Sequence, residues 1–214
     1  MPEIGEPVPA RPAGQKAIIE AARQEFSEQG YGATSIRDIA QRAGVSLSAL
    51  YYYYKGKQEL LVAILDEGLD AYFDACDAAL ADVGDDPAER LEALVSATVR
   101  FRTNQPVQST IVLSERRSLE PEHIERYRKN EERASQQYRE VIESGVAEGI
   151  FLTPYPDDAR RAVIAMCNAI AQWYRADGPV DVEELVERYV SLALVIVEYR
   201  PRAARRPARG SGGA

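Results

Sequence analysis

The residues best equipped for chemistry form one short run, Leu50 to Lys57, LYYYYKGK. A tyrosine offers a flat apolar ring and a hydroxyl that donates and accepts, and a lysine adds a compact positive charge. Neither regular period places four consecutive phenols on one face. A strand sends alternate rings to opposite sides, and a helix spreads them around its circumference. Some of these rings must therefore point away from a core. A second concentration is SERRSLEPEHIERYRKNEER, which gathers Arg116, Arg117, Arg126, Arg128 and Lys129 among acids. Catalytic sets are poor by comparison. His123 is the single histidine, Cys76 and Cys167 lie far apart without a CxxC, and Asp157 and Asp158 follow Pro156, where acids stabilise a helix start. No nucleophile set and no metal-ligand spacing emerges, so the expectation is a protein that is not an enzyme and has no cofactor and no metal.

The elements that must position these residues are helical. The chain has 214 residues, 45% apolar and 28% charged, within the ordinary globular range. No apolar run approaches a membrane span, and MPEIGEPVPARP is not a signal peptide, so a reduced, cytoplasmic protein without membrane contact is expected. Residues 1–13 carry four prolines and read as a flexible arm. QKAIIEAARQEFSEQG is an amphipathic helix with Ala17, Ile18, Ala21, Ala22 and Phe26 on one stripe, stopped by Gly30 and Gly32. TSIRDIAQRAG is a short helix capped by Thr34 or Ser35, closed by Gly44, and followed across Val45 and Ser46 by LSALYYYY. Further helices are expected from Lys57 to about residue 83, Pro87 to about Asn104, Ser109–Leu119, Pro121–Glu148, Pro156–Ala176 and Asp181–Tyr199. The fold class is all-α, with about nine helices.

Charge is distributed unevenly. The net is −8, yet residues 10–57 hold seven Lys/Arg against four acids, while residues 58–199 hold fourteen against twenty-eight. The tail from Arg200 adds five arginines and no acid and reads as a disordered basic extension over 200–214. One end of the molecule is suited to a polyanion and the rest to something else.

A short helix, a glycine turn and a second short helix form the helix-turn-helix pattern, whose second helix enters the DNA major groove. Leu50 and Tyr54, four apart, can share the inward face. Tyr51, Tyr52 and Tyr53 cannot all be inward, and their rings and hydroxyls suit thymine methyls, sugars and phosphates. The stretch AARQEFSEQGYGATSIRDIAQRAGVSLSALYYYYKGKQELLVAIL resembles the DNA-binding domain of the TetR family of bacterial repressors over roughly residues 12–72. The resemblance implies a double-stranded operator as partner. It puts Thr34, Ser35 and Arg37 near phosphate, and Ser46, Leu47 and Ser48 at base edges. It puts Tyr51, Tyr52 and Tyr53 on phosphate, sugar or methyl groups, and Lys57 on phosphate. Tyr54 stands where the family often has Phe, and Gly56 where it often has Ser or Asn. Leu47 and Ser48 offer little bidentate hydrogen bonding, so sequence reading is expected to lean on apolar contact and DNA shape.

The domains expected are 14–60 for DNA binding and 61–199 for ligand binding and dimerisation. ARRAVIAMCNAIAQWYR and LVERYVSLALVIV are apolar around more than one stripe, which suggests a symmetric copy covering residues 157–199. The resemblance further implies a ligand pocket in the body. GVAEGIF and NAIAQWYRADGPVDVEEL look like segments of the subgroup that senses acyl-coenzyme A. On that reading Phe101, Ile111, Leu113, Tyr138, Met166 and Trp173 line an apolar tunnel and Arg116, Arg117 and Arg128 meet phosphates. The bland alternative pairs those arginines with neighbouring glutamates on a solvated face. The effector expected is an acyl-CoA of lipid or steroid catabolism. The rivals are another apolar effector, such as a drug or antibiotic controlling efflux, and an all-α lipid-processing enzyme.

Overall fold

The computed structural model describes residues 13–201. The expected arm, apart from Ala13, and the expected basic tail, apart from Arg200 and Pro201, lie outside the described residues. Within them the chain is all-α, as its periodicity requires. It forms nine α-helices: α1 Ala13–Ala33, α2 Ile36–Arg42, α3 Leu47–Tyr53, α4 Lys57–Ala81, α5 Pro87–Asn104, α6 Pro106–Ser114, α7 Pro121–Ala147, α8 Pro156–Trp173 and α9 Val182–Ile196. A 3₁₀ turn, Glu115–Ser118, follows α6, and the only β pairing described is one antiparallel bridge, Phe151–Tyr199. Among the described residues no helix is long and apolar enough to cross a membrane.

The helix boundaries follow from local chemistry. Ser35 caps α2: its hydroxyl accepts from Asp38 N, and the Asp38 carboxylate accepts from Ser35 N in return. This reciprocal box satisfies two N–H groups that a helix start would leave unpaired. At the other end Gly44 takes φ 65°, its N–H reaches Gln41 O at 3.1 Å and that of Val45 reaches Ala40 O at 3.1 Å. That double closure needs a residue without a Cβ penalty at positive φ. Prolines begin α5, α6, α7 and α8, where a missing N–H costs nothing. The sixth helix accordingly starts at Pro106, before the expected Ser109, and ends at Ser114 in the 3₁₀ turn. On α1 the inward stripe uses Ile19 and leaves Ala17 exposed.

Helix α4 crosses the expected boundary at residue 60, because it starts at Lys57 and runs unbroken into the body. The head is α1 to α3, folded around Ile18, Phe26, Ile39, Leu50 and Tyr54, and α4 supplies Leu60, Leu61 and Ile64 to the same continuous core. In the body α5 is central and packs against α4, α6, α7, α8 and α9. Helix α1 also packs on α6 and on the 3₁₀ turn that follows it, so head and body meet beyond α4 as well.

The approach of α4 to α6 is close at Gly68. A Cβ built there would lie 2.1 Å from Gln108 Nε2 and 2.9 Å from Val112 Cγ2, and that same Gln108 nitrogen donates to Ile64 O at 2.6 Å. Gly68→Ala is therefore expected to destabilise the protein by about 1–3 kcal/mol through overpacking. Urea unfolding measures it, and a variant as stable as wild type would mean that the two helices do not need this contact.

Candidate nucleic-acid interface and internal cavity

The four tyrosines divide along the helix. Tyr54 is 6% exposed and its hydroxyl accepts from Gln15 Nε2 at 3.2 Å, while Leu50 is fully buried. Both sit inward as their spacing required. Tyr53 is half-buried and lies against α1, where a Cβ on Gly14 would be 3.7 Å from its ring, so it is a packing residue more than an outward one. Tyr51 and Tyr52 are 49% and 82% exposed. Ser48, Tyr51 and Tyr52 stand at i, i+3 and i+4 and share one exposed face of α3. Ser46 is occupied as the α3 cap, accepting from Ala49 N at 3.1 Å, and Leu47 is half-buried.

Two of the expected phosphate contacts are corrected by the geometry. Thr34 is 2% exposed, and its hydroxyl donates to Glu25 O and Gly30 O at 3.2 and 2.9 Å. It secures the end of α1, where Gly30 breaks the helix with φ 80°, and its side chain faces no solvent. Lys57 Nζ donates to Tyr31 O at 2.6 Å and Thr34 O at 2.8 Å and lies 4.2 Å from the Tyr31 ring centroid. Its charge is committed to carbonyls that the kink leaves without helical donors. Ser35 remains exposed but is engaged in its capping box. Arg37 is exposed and forms no ion pair among the described residues. By contrast Arg42 ties α2 to α1 through Glu25 at 2.6 Å and Glu28 at 2.5 Å, and the Arg42 guanidinium lowers the pKa of Glu28.

The body encloses a cavity of about 340 Å³, a size suited to a small ligand. Its floor is made by Gly68 and Tyr72 of α4, Arg102 of α5 and Tyr138 of α7. Val112 and Leu113 of α6 form one wall, and exposed Glu131, Arg161 and Ala165 mark the mouth between α7 and α8. Thr98 organises the floor: its hydroxyl donates to Leu94 O at 2.8 Å and meets the hydroxyls of Tyr138 at 2.7 Å and Tyr72 at 3.2 Å. Tyr127 donates to Val112 O at 2.5 Å, and burial pushes its phenol up to about 12. Burial also raises the thiols, Cys76 to about 11 and Cys167 to about 12, so neither is a nucleophile at neutral pH.

Of the nine residues expected around a ligand, Leu113 and Tyr138 line this cavity. Phe101 and Ile111 are buried outside it, Met166 is half-buried elsewhere on α8, and Trp173 is 47% exposed. The arginine expectation is corrected. Arg128 pairs with Glu125 at 2.9 Å on solvated helix surface, Arg116 pairs with Glu131 at 2.8 Å, and Arg117 is exposed away from the cavity. The buried arginines that do line it, Arg102 and Arg160, were missed. A signal existed: Leu91, Val95, Thr98 and Arg102 recur at alternating intervals of four and three, which puts the arginine on the inward stripe of α5.

A three-helix head with an exposed recognition face, mounted on a helical body with an internal cavity, defines a DNA-binding transcriptional regulator of the helix-turn-helix class. The chain belongs to the TetR family. Residues 18–64 match the family described as bacterial regulatory proteins, tetR family, and residues 84–197, more than half of the chain, match the tetracyclin repressor-like, C-terminal domain. The chain is 29% identical over 184 residues to the HTH-type transcriptional repressor KstR2 of Mycobacterium tuberculosis, covering 83% of this chain and 89% of that protein. A bacterial regulatory protein in the tetR family from Rhodococcus RHA1 superposes with a TM-score of 0.82 at 30% identity, covering 90% of this chain and 100% of the other. AibR, solved in complex with isovaleryl coenzyme A and operator DNA, superposes with a TM-score of 0.77 at 23% identity, covering 84% and 97%, and shows likeness of fold alone. The family and these relatives are regulators rather than enzymes, in agreement with the expectation drawn from the missing catalytic set.

The two cations of the head are expected to behave differently when removed. Arg37→Ala should reduce the salt slope of operator binding by about one unit with an unchanged melting temperature. Lys57→Ala should lower stability by about 1–3 kcal/mol, since two carbonyls lose their donor. Filter-binding salt titrations beside thermal melts separate the two, and an Arg37→Ala slope equal to wild type would remove that residue from the interface.

Proposed function

We propose that the protein is a cytoplasmic, homodimeric repressor that binds a palindromic operator and is released by an acyl-CoA whose acyl group enters the cavity. The observation that carries this reading is the position of α6, which walls the cavity through Val112 and Leu113 and also seats α1 of the head. A ligand that displaces this wall moves the support of the DNA-binding unit. Gln58 couples the same region. With its amide nitrogen toward Tyr31, it donates to Tyr31 Oη at 2.8 Å and Ser118 O at 3.2 Å, and its oxygen accepts from Glu120 N at 2.9 Å. Release then requires the ligand to favour the arrangement of the heads that does not fit DNA. The choice of effector class draws on AibR, a neighbour in fold whose structure is named with isovaleryl coenzyme A.

On this reading the head, residues 14–60 with the start of α4, meets DNA through Ser48, Tyr51 and Tyr52 on groove atoms and Arg37 on phosphate. Residues 61–199 hold the effector and the dimer contact. Exposed apolar residues of α8 and α9 support the pairing: Leu192 and Val195 are 49% and 70% exposed, and Trp173 is 47% exposed. Val190 and Leu194 are half-buried against the chain's own core. The more exposed pair is thus the better probe of a second copy.

Leu192→Glu with Val195→Glu is expected to yield a helical monomer without operator binding, because the charges would be buried unpaired in an apolar interface. Light scattering checks it, and a persistent dimer would move the interface elsewhere. For the effector, hexanoyl-CoA should bind more tightly than hexanoate or CoA alone and weaken operator binding. The operator should in turn weaken hexanoyl-CoA binding by the same factor. Calorimetry with and without operator measures both sides. Equal affinity for thioester and free acid would overturn the acyl-CoA reading and leave the family assignment intact.

A further inference from the structure

The cavity contains a cation without an anion. Arg102 is 5% exposed and lines the floor. Its Nη2 donates to Asn168 Oδ1 at 3.0 Å, whereas Nε and Nη1 have no hydrogen-bond partner. Among the described residues no carboxylate pairs with it. The titratable groups that face it are the phenols of Tyr72, Tyr138 and Tyr127 and the thiol of Cys167. All four stay neutral at pH 7, since burial raises the pKa of each. The other buried arginine of the cavity is a useful contrast: Arg160, 7% exposed, has Asp157 at 3.2 Å. Glu131, the one acid among the cavity residues, is at the mouth and held by Arg116 at 2.8 Å.

A guanidinium does not release its proton in a protein, so the charge persists. Its π contacts, 5.2 Å to the Tyr72 centroid and 5.5 Å to that of Phe101, offset only part of the lost hydration. A buried charge that lacks a counter-charge is costly to retain, and a site that keeps one is prepared for an anion from outside.

We propose that Arg102 is the anion receptor of the cavity, taking a carboxylate borne on an apolar skeleton through the nitrogens left without protein acceptors, while Asn168 orients the guanidinium. The proposal rests on the reading of this cavity as the effector site and narrows the effector's chemistry. Apolar walls and neutral phenols accept the skeleton, and the single uncompensated cation at the floor accepts the charge. Two sources supply that group: a free carboxylic acid, or the distal end of a dicarboxylic acid whose other end is the thioester.

Two matched pairs of probes test it by calorimetry on the full chain, hexanoate against hexanamide and adipoyl-CoA against hexanoyl-CoA. In wild type the carboxylate member of at least one pair should bind about tenfold or more tightly, as charge-assisted hydrogen bonds require. Preference in the acid pair alone identifies a free acid, and preference in the thioester pair identifies the dicarboxylic source. Arg102→Gln should bring the ratio to about one. It should melt no lower than wild type without ligand, because it removes an unpaired buried charge. Should that variant fail to fold, the wild-type ratios decide alone. No preference for the carboxylate in either pair overturns the proposal. The two readings fail separately: hexanoate favoured over hexanamide with no thioester binding removes the acyl-CoA reading and keeps the receptor. Tight hexanoyl-CoA binding with both ratios near one does the reverse.

Discussion

Burial of most of α5 is the constraint on which the body depends. The helix packs against α4, α6, α7, α8 and α9 and keeps one solvated stripe, on which Glu89, Arg100 and Asn104 are exposed, so each polar group on its buried faces must find a partner inside. Thr98 does so through Leu94 O and two phenols, and Thr103 through Val99 O at 3.0 Å. Arg102 is the member of the set whose needs the chain does not meet. That arginine is the residue by which α5 lines the cavity. A single packing requirement thus accounts for both the rigidity of the core and the chemistry of the space within it.

The head is built on a different economy. It is small, and its short helices would not persist alone. Reciprocal capping at Ser35 and Asp38, the double closure at Gly44 and the Arg42 pairs with Glu25 and Glu28 hold α2 to α1. Lys57 then clamps the end of α1 to the start of α4. With the inward residues so fixed, Ser48, Tyr51 and Tyr52 present a defined outer face. A rigid recognition face loses little freedom on meeting DNA.

Head and body share elements with more than one allegiance. Helix α4 begins in the head and walls the cavity at Gly68 and Tyr72, while α6 walls the cavity and seats α1. The close approach at Gly68 leaves no slack between them, so a shift in one is transmitted to the other as displacement rather than absorbed. This is a physically connected route from cavity to head.

Much of this protein was legible in the chain itself. Helical periodicity, proline starts and glycine stops determined the all-α class and nearly all helix positions, because those signals act over a few residues and do not depend on what lies across the core. The inward pair Leu50 and Tyr54 followed from spacing, whereas Tyr51, Tyr52 and Tyr53 were all expected outward and only the packing of Tyr53 on α1 separates it from the other two. Tertiary structure decided what local pattern leaves open. Lys57 and Arg37 look alike in sequence, yet only one has carbonyls waiting 23 and 26 residues away. Arg116, Arg117 and Arg128 cluster in the chain and stand on the surface, whereas Arg102 of α5 is buried in the cavity floor. A charge acquires its meaning from the groups around it, and those are assembled from helices far apart in the chain.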